Sequence, residues 1–155
     1  MSPSRTVEER LDEIESRTAI AELLATYCFA ADTKDLDLWL TIWHDDAAYL
    51  IPGGLGEFYG TEGMHHALDA IDAAWEKTWH WPTNHSVRFE SPDRAIGRTY
   101  VVALGTRPAD AGTAMVSGQY NDVFERRDGV WKFAERSVTR FFVTTPVDFP
   151  LPAPA

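Results

Sequence analysis

The spacing of apolar residues changes character once along this 155-residue chain, and that change restricts its fold more than any other feature. Up to about residue 77 the spacing is helical. Val7, Leu11, Ile14, Ala21, Leu24 and Cys28 recur with a 3.6 period, with Glu and Arg between them, which predicts one long amphipathic helix or two over about 7–31. The Asp32-Thr33-Lys34-Asp35 segment offers capping side chains before Leu36, Leu38, Leu40, Ile42 and Trp43, so a short second helix is expected, ending near 44–46. A short strand over 47–51 is stopped by Pro52, and the GGLGEFYG stretch after it reads as a mobile loop and a candidate lid. Thr61 and Glu62 open a third helix running to about 77, with Met64, Leu68, Ile71 and Trp75 on one face.

Beyond Trp79 four β-rich runs follow, at about 82–91, 94–106, 113–126 and 130–144, separated by SPD, RPADAG and RDG. Asp128-Gly129 is the clearest of these turns, because a two-residue hairpin needs positive backbone angles that Asp and Gly tolerate. Helices first and a long antiparallel meander afterwards make an α+β protein. Strands this long are expected to curl and close against the first helix as a cone-shaped α+β barrel around a pocket. The whole chain, 1–155, is read as one domain, with helices over about 7–77 and sheet over about 79–144.

Composition narrows the function classes. Twenty-four acidic against fourteen basic residues give a formal net charge of -10, a field that repels nucleic-acid backbones and anionic lipid surfaces. The single cysteine, Cys28, permits neither an intrachain disulfide nor a Cys-based zinc cluster, which favours a reducing cytoplasm. No signal-peptide core and no apolar run of membrane-spanning length is found, so neither export nor a membrane partner is expected. The segment 146–155 holds four prolines and is expected to be extended, packing over a neighbour. Six Trp and eight Phe suit a bulky core or a roomy apolar pocket; Trp39, Trp43, Trp75 and Trp131 are most simply core, with some also lining a cavity. His44, Asp45 and Asp46, or His65 and His66, are too close in sequence to converge on one ion, so no metal is expected. Gly53, Gly54 and Gly56 lack the lysine of a phosphate loop.

Three segments carry a family resemblance: IAELLATYCFAADTKDLDLWLTIWHDDAAY, TWHWPTNHSVRFE and YNDVFERRDGVWKFAERSVTRFF. Together they span about 15–148 and resemble SnoaL-like proteins of the nuclear-transport-factor-2-like superfamily, including dehydrochlorinase and dehydratase members. The resemblance implies that His80 takes a proton from carbon, that Asp32 orients it, and that Arg136 helps to hold the departing group. Where the dehydrochlorinase members carry a Lys five residues before the Asp, this chain has Tyr27, as bile-acid dehydratase members do; scytalone dehydratase members also pair tyrosines with Asp and His. An Asp on the strand after the His in the bile-acid enzymes is matched here by Ala103.

The chemistry is coherent on its own terms. An imidazole accepts a proton near neutral pH if one ring nitrogen is free, and a carboxylate on the other nitrogen fixes the tautomer and stabilises the imidazolium. A phenol such as Tyr27 or a guanidinium such as Arg136 then donates to a leaving hydroxide, halide or developing enolate. Residues five apart on a helix project about 140° apart, so Tyr27 and Asp32 are expected to share a pocket only if the helix ends near Ala31. Plainer roles stay open: Asp32 as N-cap of the second helix, His80 packed between Trp79 and Trp81, Tyr27 as core, and Arg136 paired with a cross-strand acid such as Glu125.

These readings lead to a cofactor-free lyase or isomerase acting on a small apolar, cyclic molecule, with dehydration first and dehydrohalogenation second. The alternative is a non-catalytic ligand-binding or assembly module, as in β subunits of ring-hydroxylating dioxygenases. Relatives of both kinds imply a homo-oligomer, trimer or dimer, packed through the open sheet face.

Overall fold

The computed structural model describes residues 5–108, 112–147 and 151–152. Helix α1 (Val7–Thr33) starts with a reciprocal cap: the Glu9 backbone N–H donates to Thr6 Oγ1 at 3.1 Å and the Thr6 N–H donates to the Glu9 carboxylate at 2.8 Å. It ends where Lys34 turns into the left-handed region, φ 59°. Asp35 at once caps α2 (Leu36–Thr41), its carboxylate accepting from the Leu38 N–H at 2.9 Å. The cap of α2 is therefore Asp35, and the carboxylate of Asp32 is left for another partner. The helix is embedded from Ser16 onward, at Ser16, Ile20, Leu24, Tyr27, Cys28, Ala30 and Ala31, whereas Val7, Leu11 and Ile14 of the apolar stripe are exposed.

Three boundaries differ from the expectations. One is that the third helix ends at Ala74 and not near 77, with Trp75 already extended (φ -138°, ψ 112°) and the following strand starting at Lys77 and not near 82. The second helix stops at Thr41, and strand β1 (Trp43–Ile51) begins where helical spacing continued. The cause is tertiary pairing: the Phe133 N–H donates to the Ile42 carbonyl at 2.9 Å and Trp43 lies beside Phe133 in a parallel ladder. Half of the glycine-rich stretch is also sheet, because β2 (Gly56–Tyr59) pairs antiparallel with β1 and only 52–55 remains a turn. Helix α3 (Gly60–Ala74) follows, and the Trp39 indole N–H ties α2 to it by donating to the Met64 carbonyl at 2.9 Å.

The remaining strands are β3 (Lys77–Ser91), β4 (Arg94–Thr106), β5 (Thr113–Arg127) and β6 (Val130–Val143). The β5–β6 hairpin turns at Asp128 (φ 52°) and Gly129 (φ 79°), the backbone its Asp-Gly pair requires. The sheet runs β2-β1-β6-β5-β4-β3, antiparallel except for β1 against β6. It curls around the helices but does not close on itself, since β2 and β3 are both edges. The sheet thus reaches into the half of the chain expected to be helical.

Of the Pro-rich tail, 148–150 and 153–155 lie outside the described residues, as does the 109–111 part of one expected turn. What is described is attached: Val147 exchanges backbone hydrogen bonds with Thr113, and the Leu151 and Pro152 carbonyls accept from Lys77 Nζ and the Trp79 indole at 3.2 and 3.3 Å. No helix among the described residues is long and apolar enough to cross a membrane.

Candidate active site

The curled sheet and the helices leave a cavity of about 440 Å³, lined from α1, α3, β1 and β3 to β6. Its lining grades from a buried end, where Tyr27, Tyr49 and Tyr120 meet, to a solvent-exposed rim at Gly53, Arg107 and Arg140. Ile51, Ile71, Val101 and Val138 contribute apolar wall between the two ends.

His80 faces this cavity from β3, directly opposite Ala103 on β4. Its flanking tryptophans do not join it there. Alternate residues of a strand point to opposite faces; Trp79 donates to the tail at Pro152, and Trp81 is exposed. From the last turn of α1, Asp32 uses both carboxylate oxygens on His80. Oδ2 accepts from the backbone N–H at 3.0 Å and Oδ1 lies 2.5 Å from Nδ1, with the two side chains only 12% and 9% exposed. With Nδ1 bonded to the acid, Nε2 is the nitrogen left to accept a proton, and it has no hydrogen-bond partner among the described residues. A carboxylate held at two points cannot rotate away from the ring, which fixes ring orientation and tautomer together.

Tyr27 joins the site in a different way from the one expected. Helix α1 continues to Thr33, so Tyr27 and Asp32 do project to different sides. Tyr27 lines the cavity itself, whereas Asp32 is not a lining residue and acts through the ring of His80, whose centroid is 6.0 Å from that of Tyr27. The Tyr27 and Tyr49 hydroxyls are 2.6 Å apart, and Tyr120 packs edge-on to Tyr27 at 5.5 Å between centroids. The Tyr27 hydroxyl also interacts with that of Tyr120, so two links use two of the three phenolic hydrogens and one is left for a ligand.

Arg136 is fully buried and is not a lining residue. It lies behind the phenols, with its guanidinium carbon 4.1 Å from the Tyr27 ring centre and 4.0 Å from that of Tyr120. Its ion-pair partner is Asp122, at 2.7 Å from Nε and 2.8 Å from Nη2, and not Glu125, which binds Arg94 and Arg127 at the surface. Nη1 of Arg136 has no hydrogen-bond partner in the described structure. Burial works to lower the pKa of this guanidinium, but the Asp122 carboxylate and its hydrogen bonds outweigh it and hold the group more firmly charged than usual.

Burial pushes all three phenols well above the usual tyrosine range, with each phenolate repelled by a neighbouring tyrosine and Arg136 opposing the shift. The cluster therefore stays neutral and proton-donating. A raised native pKa stabilises the fold fully below the unfolded value of about 10, and that stability is lost as pH rises above it. In an alkaline titration followed by tyrosinate absorbance and circular dichroism, three of the five tyrosines are expected to ionise only as the fold is lost; their reversible ionisation in a native fold would contradict this.

Tyr49, Tyr120 and Asp122 are site residues that sequence reasoning missed. For Tyr120 and Asp122 a signal existed, their i, i+2 spacing on one face of a predicted strand. His44, weighed as a metal ligand, instead places Nε2 2.9 Å from the Glu125 carbonyl, and among the described residues no three potential ligands converge.

Comparison with known proteins agrees with this architecture. The SnoaL-like domain family matches residues 12–137. Gamma-hexachlorocyclohexane dehydrochlorinase of Sphingobium indicum is 34% identical over 140 residues, covering 85% of each chain. The solved structure of LinA superposes with a TM-score of 0.88 at 29% identity, covering 94% of this chain and 99% of that one. A nuclear transport factor 2-like protein from Salmonella enterica shares the fold alone, with a TM-score of 0.72 at 13% identity over 81% of this chain and 92% of that one. A curled sheet wrapped on helices around a cavity defines the nuclear-transport-factor-2-like fold, which the chain shares with dehydrochlorinase relatives. Within that class, the chain belongs to the SnoaL-like domain family.

Proposed function

We propose that this protein is a cofactor-independent lyase in which His80 Nε2 removes a proton from carbon and a β-positioned leaving group departs. The observation that carries the reading is the two-point grip of Asp32 on His80, which leaves one basic nitrogen at the wall of a largely apolar cavity. As the C–H bond breaks, its electron pair forms the new double bond and the leaving group takes its own bonding pair. The proton resides on His80, and the imidazolium is stabilised by Asp32.

The neutral phenols supply the second half of the reaction. The linked hydroxyls of Tyr49, Tyr27 and Tyr120 together have one hydrogen to offer a departing oxygen. Arg136 supports them from behind: its charge polarises the rings it touches and favours negative charge developing at their hydroxyls. The phenol of Tyr27 stands where the dehydrochlorinase members carry a lysine, which favours water over chloride as the leaving group, since a hydrogen donated by a neutral phenol helps hydroxide depart far more than halide. Dehydration is therefore the first reaction and dehydrohalogenation the second. A cavity of about 440 Å³ suits a small cyclic substrate. The exposed Tyr100 and Phe141, in mutual contact and with Tyr100 facing away from the cavity, support association of copies through the outer sheet face.

The test is a panel of hydroxylated and halogenated alicyclic compounds, read by loss of water in mass spectrometry and by halide release. Turnover of at least one compound is expected from the native protein, with His80→Ala slower by about 10²- to 10⁴-fold and still folded. Equal turnover by both proteins would contradict the proposal.

A further inference from the structure

The cavity's charge does not follow the chain's. Although the sequence carries 24 acidic residues and a net charge of -10, among the described residues no Asp or Glu lines the cavity, and the formally charged ones that do are Arg107 and Arg140. Both are exposed as well as lining, which places them at the rim, while the buried end is closed by neutral phenols. Of the two carboxylates behind the site, Asp122 is paired with the Arg136 guanidinium, and Asp32 is turned away from the cavity, with both oxygens held by the His80 backbone N–H and ring.

Arg140 is the more informative of the pair. It projects from β6, beside Gly118 on β5, and Nη2 donates to the Gly53 carbonyl of the 52–55 turn. That acceptor is uncharged, and among the described residues no carboxylate lies within ion-pair distance of Arg140. A guanidinium has five N–H donors, so one bond to a carbonyl leaves most of them unused. Gly53 and Gly54 also line the cavity, so the residue that faces the ligand also anchors the turn beside the entrance. An anion bound there would make charge-assisted hydrogen bonds, and a planar carboxylate matches a guanidinium in geometry.

We infer that the ligand of this cavity is a ring compound bearing a carboxylate, with the anionic group held at the rim by Arg140 and the ring directed inward toward His80. The inward placement of the ring rests on the proposed elimination chemistry; the preference for an anion does not. An anionic substituent at the rim would fix which ring carbon reaches His80 while leaving the apolar wall to hold the ring.

Binding of two non-reacting probes separates the two ideas. Cyclohexanecarboxylate and its neutral near-isostere cyclohexanecarboxamide would be titrated into the native protein, Arg140→Met, Arg140→Lys and His80→Ala at low, fixed, chloride-free ionic strength, by calorimetry or ligand-observed NMR. The native protein is expected to prefer the carboxylate by about tenfold or more, Arg140→Met to lose that preference with little change for the carboxamide, and Arg140→Lys to keep part of it. His80→Ala is expected to retain the preference, so loss of catalysis and loss of anion recognition are read apart. Equal affinity of the native protein for both probes, a preference unchanged in Arg140→Met, or no binding of either at millimolar concentration would overturn the inference.

Discussion

Asp122→Ala is expected to destabilise the fold by about 3–5 kcal/mol, the largest single-site effect on stability anticipated in this protein. The substitution removes the only carboxylate on Arg136 among the described residues and leaves a guanidinium with no exposed surface among the rings of Tyr27, Tyr120 and Phe133. Contact with aromatic faces does not replace the lost ion pair, since a buried cation–π contact is worth roughly 2 kcal/mol. The pair as a whole need not be strongly stabilising, because burying both ions costs about as much as their attraction returns. The double variant Asp122→Leu with Arg136→Met is therefore expected to be much nearer to native stability than Asp122→Ala alone. Urea denaturation midpoints for the two variants test this, and if Asp122→Ala does not fold, Asp122→Asn, which keeps one acceptor, provides the measurable member. Equal midpoints for the native protein and Asp122→Ala would contradict the account of the pair.

The second large effect is expected in catalysis. Asp32→Asn should lower turnover of any compound the native protein converts by about 10²- to 10⁴-fold while leaving binding of unreactive analogues nearly unchanged. An amide has one acceptor and one donor group where the carboxylate had two acceptors. The His80 backbone N–H claims the acceptor, so the amide NH₂ faces Nδ1 and favours the tautomer with its hydrogen on Nε2, the wrong nitrogen for a base. The imidazolium formed during the reaction also loses its counter-charge. Asp32→Asn therefore separates from a merely structural change by its kinetic pattern: kcat falls and KM does not rise. A variant that lost affinity and turnover together, or neither, would assign Asp32 to scaffolding.

Much of the fold is legible in the sequence because its strongest signals are local. The Asp-Gly turn at 128–129 and the runs on either side of it carry their own conformational preferences, and strands β4, β5 and β6 fall close to where those preferences place them. The start of β1 does not, because residues 42 and 43 are claimed by β6 from ninety residues away, and no local pattern reports that pairing. The partner of Arg136 is hidden for a related reason. A regular hairpin turning at 128–129 would set Asp122 opposite Glu135, two carboxylates side by side. The bulge beyond Phe124–Phe133 shifts the register by one and brings Arg136 opposite Asp122. Nothing in the sequence of β6 announces that bulge. The meeting of Asp32 with His80 across 48 positions was likewise legible only through resemblance to a family, whereas the joining of Tyr49 and Tyr120 to Tyr27 depends on β1 and β5 packing on α1, a tertiary contact that the spacing of Tyr120 along its strand does not specify.

The central claim is that Asp32 holds the ring of His80 with its hydrogen on Nδ1 and a bare Nε2 toward the cavity. Long-range ¹H–¹⁵N correlation of the histidine rings at alkaline pH, with His80 assigned by its absence in His80→Ala, reads that arrangement directly. The predicted result is a Nδ1–H tautomer for His80 in the native protein that is lost in Asp32→Asn. A native ring that averages its tautomers like a free imidazole, or that carries its hydrogen on Nε2, would contradict it.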